Sequence, residues 1–265
     1  MTQIELPEAT AVEGTRFRLA ELDSVTSTNT ILAEAAHRTV DPWYVLRADH
    51  QSAGHGRRGR VWESPPGSGM LMSILFDSRP MEQVHLLSTA VGFATAAACR
   101  TLGADARMQW PNDLVGPHEV DGHTAKLAGV LGELVDSPYG KRAVIGVGLN
   151  LRPQPGLAEA IGRPVTVLDD LIERRVSASE LAKLVLGSLE LVLTALDDRG
   201  RGPSWLREQC VEISATIGSQ ISVTTPAGTF SGRAVDIDTM GHLVLETEHG
   251  RRTFEVGDID AAAQA

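Results

Sequence analysis

Gly54-His55-Gly56-Arg57-Arg58-Gly59-Arg60, with Val61-Trp62 directly behind it, gathers three glycines and three arginines into one short loop. Glycine lets a backbone turn through positive φ and approach a ligand closely, so such a loop can aim several N–H groups at one anion. Arginine adds planar, permanently charged donors matched to phosphate and carboxylate oxygens. The loop therefore reads as a cradle for an anionic ligand, in the first place a nucleotide phosphate.

The same letters satisfy two better-known patterns, and both fail on their surroundings. A dinucleotide fingerprint needs its third glycine to open a helix that receives the pyrophosphate, whereas Trp62-Glu63-Ser64-Pro65-Pro66-Gly67 follows Gly59 and no helix is expected there. With Val61 the string also fits the glycine-rich loop of protein kinases, but the chain has no V-A-I-K lysine soon after, no H-R-D and no D-F-G. A solvated basic turn or a nucleic-acid contact stays open for the loop alone.

Composition narrows the choice. The chain has 265 residues, 42% of them hydrophobic, enough for one sizeable domain with a small one appended. A formal net charge of −10 argues against broad binding to nucleic acid, so the basic loop is a local exception and no DNA partner is expected. Lysine is rare: Lys126, Lys141 and Lys183 stand against 21 arginines, which makes a lysine inside an apolar segment, Lys126, a candidate. Cys99 and Cys210 suit neither a disulfide scaffold nor a metal site. Met1 to Glu13 has no basic or apolar signal region, and no segment approaches the ~20 apolar residues of a membrane span. A soluble cytoplasmic protein with no membrane partner is the expectation.

Along the chain, the first ~20 residues read as a loose lead-in. Ser27 or Thr28 reads as the N-cap of a helix carrying Ile31, Leu32, Ala35 and Ala36. Strands are expected over Tyr44–Ala48, Met70–Phe76, Arg107–Trp110, Ala125–Val135 and Ala143–Leu151, with a long helix over Val84–Leu102 and two more over Ala178–Leu196 and Pro203–Val211. From Ile217 onward, Ile221–Val223, Thr229–Ile237, Leu243–Glu246 and Thr253–Val256 read as short strands between Gly-containing turns, a compact β-barrel of ~45 residues. The whole is α+β.

Three further motifs stand at strand ends. Trp110-Pro111-Asn112-Asp113-Leu114 puts an amide and a carboxylate into a turn, which Pro and Asn-Asp also favour without any function. Lys126-Leu127-Ala128-Gly129-Val130-Leu131-Gly132-Glu133 sets the rare lysine among apolar residues, where it serves a ligand or protects a sheet edge. Gly146-Val147-Gly148-Leu149-Asn150 closes an apolar strand with an amide, and its glycines allow close approach.

Taken in order, Ser27-Thr28-Asn29, the Gln51 to Arg60 segment, Trp62, Trp110 to Asp113, Lys126 to Gly129 and Gly148 to Asn150 resemble the catalytic core of biotin protein ligases from about Asp23 to Leu151. The resemblance implies a mixed β-sheet flanked by helices, a core like that of class II aminoacyl-tRNA synthetases, and a C-terminal SH3-like barrel. It implies a lead-in over 1–14, a catalytic domain over 15–215 and the small domain over 216–265. Only 22 residues precede Asp23, so a ligase without a DNA-binding repressor domain is expected, as monomer or homodimer. The implied reaction activates biotin with Mg-ATP to biotinyl-5′-AMP and transfers it to a lysine of the biotin carboxyl carrier domain of acyl-CoA carboxylases.

The implied residue roles follow the motifs. Ser27, Thr28, Asn29, Gln51, Gly54, His55, Gly56, Arg57, Lys126 and Gly129 would hold biotin, and Arg57, Arg58, Arg60, Trp62, Asn112, Leu131 and Asn150 the nucleotide or adenylate. Arg57, Lys126 and Asp113 would carry the chemistry, with Asp113 as the candidate Mg²⁺ ligand. Two positions depart from the pattern: His55 stands where an arginine is usual, and Gln109 where a basic residue is usual. Two rival readings are a lipoate or octanoate protein ligase, which shares the acyl-adenylate chemistry but lacks the G-x-G-R-R-G loop, and a non-catalytic biotin or adenylate sensor.

Overall fold

The computed structural model describes residues 6–38, 41–62, 64–76, 82–120, 123–197 and 202–261. Its first half runs β1 (Thr10–Ala11), β2 (Arg18–Val25), α1 (Thr28–Ala35), β3 (Tyr44–Gln51), β4 (Gly69–Leu75), α2 (Glu82–Thr101), β5 (Arg107–Gln109), β6 (Asp113–Val120), β7 (His123–Ser137) and β8 (Gly140–Asn150). The second half runs α3 (Leu157–Ile161), α4 (Ala178–Asp197), α5 (Gly202–Glu212), β9 (Gln220–Thr225), β10 (Gly228–Ile237), β11 (Leu243–Thr247), β12 (Gly250–Phe254) and β13 (Asp258–Ala261).

The first eight strands form one mixed sheet in the order β1-β2-β3-β4-β8-β7-β6-β5. Only β2 and β3 run parallel, because α1 carries the chain back across the sheet between them. The central strands are apolar at consecutive positions because both faces are covered. Val45, Ile74 and Ile145 point into the large core with α2, α4 and α5, while Leu46, Leu75 and Val144 meet Ile31 and Leu32 of α1 on the other face. The period of two along each strand makes that division. The short helix α1 covers only part of its face, and the remainder opens into a cavity.

The second sheet, β12-β11-β10-β9-β13, is wholly antiparallel and has its own core of Ile221, Val223, Ala234, Leu243, Leu245 and Phe254. Trp110, from the turn between β5 and β6, enters that core from the large sheet. Its indole N–H donates to Gly241 O at 3.2 Å and its backbone N–H to Thr216 Oγ1 at 3.0 Å.

Several expectations need correction. The lead-in is not loose where it is described: β1 pairs with β2, Ala9 is buried, and Tyr44 Oη donates to Pro7 O at 2.5 Å; residues 1–5 and 262–265 lie outside the described residues. Strand β6 was not expected; it contains Gly116-Pro117, and the chain accommodates the proline where the β6–β7 register shifts. In the second sheet the strand expected at Thr253–Val256 lies at Gly250–Phe254, and β13 follows it. Among the described residues no helix is long and apolar enough to cross a membrane.

Candidate active site

The cavity on the α1 face holds about 860 Å³. One wall is the start of α1. Ser27 is its N-cap, in extended conformation, with Oγ accepting from Thr30 N at 3.4 Å. Thr28 and Asn29 are thereby buried against the sheet. Thr28 donates to Gln51 Oε1 from its backbone N at 2.7 Å and from Oγ1 at 2.9 Å, and Oγ1 also lies 2.7 Å from Ser73 Oγ. Ser73 Oγ donates to Asn29 Oδ1 at 2.5 Å, and Asn29 Nδ2 to Leu131 O at 3.4 Å. Gly146 lets Asn29 lie this low, since a Cβ there would sit 2.2 Å from its Oδ1. The result is a recess of uncharged hydrogen-bonding groups.

Cations gather on the other side. The glycine-arginine loop folds on itself: Gly56 N donates to Arg60 O at 2.7 Å, Arg60 N to Arg57 O at 3.3 Å and Trp62 N to Gly54 O at 2.9 Å. Three of the amides expected to face an anion are therefore spent within the loop, and the guanidinium groups provide most of the positive charge. The left-handed turn falls on Arg58 (φ 57°) and Gly59 (φ 72°), while Gly56 is extended. Gly54 does not line the cavity; a Cβ there would stand 2.6 Å from Trp62 O, so this glycine permits the loop to close. Arg57 donates to Asn112 Oδ1 at 3.0 Å and Gly257 O at 3.3 Å. Burial holds its pKa below the ordinary value, with Asp258 pulling the other way. Arg58 pairs with Asp258, and Arg60 Nη2 lies 3.8 Å from the same carboxylate.

Lys126 Nζ sits 2.7 Å from Asp113 Oδ1 and 5.5 Å from the centre of the Trp62 ring. Its backbone is held on both sides: Lys126 N donates to Pro164 O, and Lys126 O accepts from Thr166 N and from Asn150 Nδ2. Asn150 is buried and does not line the cavity, so it supports Lys126 from behind. Trp62 lies on Gly148 and Gly129; a Cβ on Gly148 would come within 2.5 Å of the indole. His55, rather than extending toward the arginines, places Nε2 3.0 Å from Glu133 Oε1.

The structure thus brings Ser27, Thr28, Asn29, Gln51, His55, Gly56, Arg57, Arg58, Arg60, Trp62, Asn112, Asp113, Lys126, Gly129 and Leu131 to one cavity. Sequence reasoning missed three residues there. Ser73 had a signal, the one hydroxyl in the apolar run Met70 to Phe76. Asp258 and Arg163 had none, because each arrives from a segment distant in sequence. Arg163 Nη1 lies 2.8 Å from Asp113 Oδ2, and Nη2 donates to Gln109 Oε1 at 2.8 Å.

These contacts decide the fit of a resident magnesium ion. Both oxygens of Asp113 are already in ion pairs, and among the described residues no three His, Cys, Asp or Glu side chains come together. Magnesium is usually held by one or two carboxylates together with substrate phosphates, so the described residues form no all-protein magnesium cage, and a metal at Asp113 would have to displace Lys126 or Arg163 from its carboxylate.

The mixed sheet's open face thus joins a neutral recess to a cation cluster, and comparison with known proteins gives the class. Residues 21–150 match the Biotin/lipoate A/B protein ligase family, and residues 216–261 match the Biotin protein ligase C terminal domain. The biotin--[acetyl-CoA-carboxylase] ligase of Mycobacterium tuberculosis is 32% identical over 90% of this chain and 88% of its own, and the bifunctional ligase/repressor BirA of Bacillus subtilis is 27% identical over 90% and 72%. The biotin protein ligase of Aquifex aeolicus, solved in complex with biotin and ATP, superposes with a TM-score of 0.76 at 25% identity, covering 91% of this chain and 97% of that one. The chain belongs to the biotin protein ligase family.

Proposed function

We propose that this protein is an ATP-dependent biotin ligase that makes biotinyl-5′-AMP and passes the biotinyl group to a lysine of a biotin carboxyl carrier domain. The observation that carries this reading is the continuity of the uncharged recess with Lys126 and the arginines in one cavity. In the recess, two hydroxyl hydrogens, those of Thr28 and Ser73, face three oxygen–oxygen contacts. One contact therefore lacks a hydrogen, so an oxygen of the Thr28–Ser73 pair is open to accept from an N–H of a ureido ring. Biotin's carboxylate then reaches Lys126, and Arg57 and Lys126 bring two mutually repelling anions, carboxylate and α-phosphate, to reacting distance. A carboxylate oxygen bonds to the α-phosphorus while the bond to the bridging oxygen breaks, and the electron pair leaves with pyrophosphate. No proton changes hands.

Trp62 on its glycine floor offers adenine a stacking surface. Magnesium enters as part of Mg-ATP, carried by the phosphates. We assign residues 15–215 to a catalytic domain of class II synthetase-like type and 216–265 to an SH3-like domain; the five antiparallel strands and the separate core support the second assignment. The test is biotin-dependent exchange between labelled pyrophosphate and ATP. Exchange with biotin is expected, and exchange driven by lipoate instead would sink the assignment. Transfer to an acceptor carrier protein separates the ligase from a binding-only sensor.

A further inference from the structure

Arg163 arrives in the cavity from the segment after α3, and that segment is fixed. Pro164 and Thr166 bond the backbone of Lys126 on either side, a short parallel bridge that holds Arg163 beside the site. Its guanidinium touches Asp113 Oδ2, Gln109 Oε1 and, at 3.4 Å, Thr124 O, which leaves Nε–H and one Nη1 hydrogen without a partner among the described residues. The side chain is 31% exposed and lines the cavity. Asp113 thus anchors two cations at once, Lys126 through one oxygen and Arg163 through the other.

Their positions along the sheet differ. The neutral recess lies at Ser73 on β4, Lys126 lies on β7, and Gln109, which Arg163 touches, lies on the edge strand β5. At about 4.8 Å per strand, Lys126 stands roughly 10 Å from β4, and Arg163, which touches Gln109 on β5, Asp113 on β6 and Thr124 O on β7, spans roughly 10–19 Å from it. In-line displacement at phosphorus puts the nucleophile and the leaving group on opposite sides. A carboxylate arriving from the β4 side therefore expels its leaving group toward β5.

We propose that Arg163 is the pyrophosphate-binding residue of this ligase: it holds the β- and γ-phosphates of ATP and neutralises the charge that develops on the leaving group. Gln109 and Asp113 orient its planar fork, and the side chain lines the cavity. The proposal rests on the adenylating reaction set out above.

The discriminating feature is that ATP and pyrophosphate carry these phosphates and biotinyl-5′-AMP does not. Arg163→Gln should raise the KM for Mg-ATP and the Kd for pyrophosphate by about ten- to a hundredfold, the range for losing a charge-assisted contact. Affinity for biotinyl-5′-AMP should stay near wild type and Tm should fall only by the few degrees expected when Asp113 keeps one of its two ion pairs, and Arg163→Lys should restore part of the ATP affinity. Unchanged ATP and pyrophosphate binding would overturn the proposal. So would an equal loss of adenylate affinity, which would make Arg163 a support for Lys126. Should the glutamine variant fold poorly, Arg163→Lys decides by the same comparison. If wild-type protein shows no biotin-dependent exchange, the functional reading fails instead, and direct pyrophosphate binding by wild type and variant still judges Arg163.

Discussion

Replacing Lys126 with alanine separates chemistry from folding at this site. The pair with Asp113 is largely enclosed, with side chains 16% and 13% exposed. Breaking a buried pair normally costs ~3–5 kcal/mol because the survivor is left uncompensated. Here the survivor keeps a partner, since Arg163 stays 2.8 Å from its second oxygen. The folding loss should therefore be near that of one charged hydrogen bond, about 1.5–3 kcal/mol. For a chain of this size that lowers Tm by roughly 3–12 °C. The catalytic loss is larger, because a fixed cation at a developing negative charge contributes roughly 2–4 kcal/mol to the barrier, which slows the reaction about 30- to 1,000-fold. Biotin-dependent pyrophosphate–ATP exchange at saturating substrates and a thermal melt of the same preparation give both numbers. Exchange within a few-fold of wild type alongside a lowered Tm would make Lys126 structural and refute the reasoning.

Two other perturbations test neighbouring parts. Gly148→Ala puts a methyl group within 2.5 Å of the Trp62 indole and lifts it from its floor; the KM for ATP should rise about tenfold, as for a lost stacking contact, with biotin dependence unchanged, and an unaltered ATP profile would separate Trp62 from the nucleotide. Burial raises the Tyr44 phenol from 10.0 to about 12, so the unfolded chain ionises first and stability conferred below pH 10 is lost as pH climbs toward about 12; Tyr44→Phe should flatten that alkaline decline in urea titrations, and identical slopes would show that the phenol titrates alike in both states.

The sequence was readable where one local rule dominated. The long α2 and α4 follow from their apolar patterns, and β3, β4 and β8 from consecutive apolar residues buried on both faces. The glycine-arginine loop and Lys126 stood out through rarity and composition. What stayed hidden depended on contacts between distant segments. Gly116-Pro117 concealed β6, which exists because β7 supplies a partner and a register shift admits the proline. Arg163 and Asp258 belong to the site only because the fold carries them there, 50 and 200 residues from the partners they bind. The conformation of Arg58 likewise escapes prediction, because a glycine next to it was the more natural carrier of a left-handed turn.

Trp110 makes the two halves of the chain thermodynamically inseparable. Its ring completes the core of the small sheet, while Asn112 and Asp113, two and three positions on, hold Arg57 and Lys126. Local melting of the appended sheet would expose a large aromatic group and release the turn that arranges the catalytic cations. The unit that opens is therefore larger than either sheet. Heating should give a single calorimetric transition at which fold and activity vanish together, and a chain cut at residue 215 should retain neither.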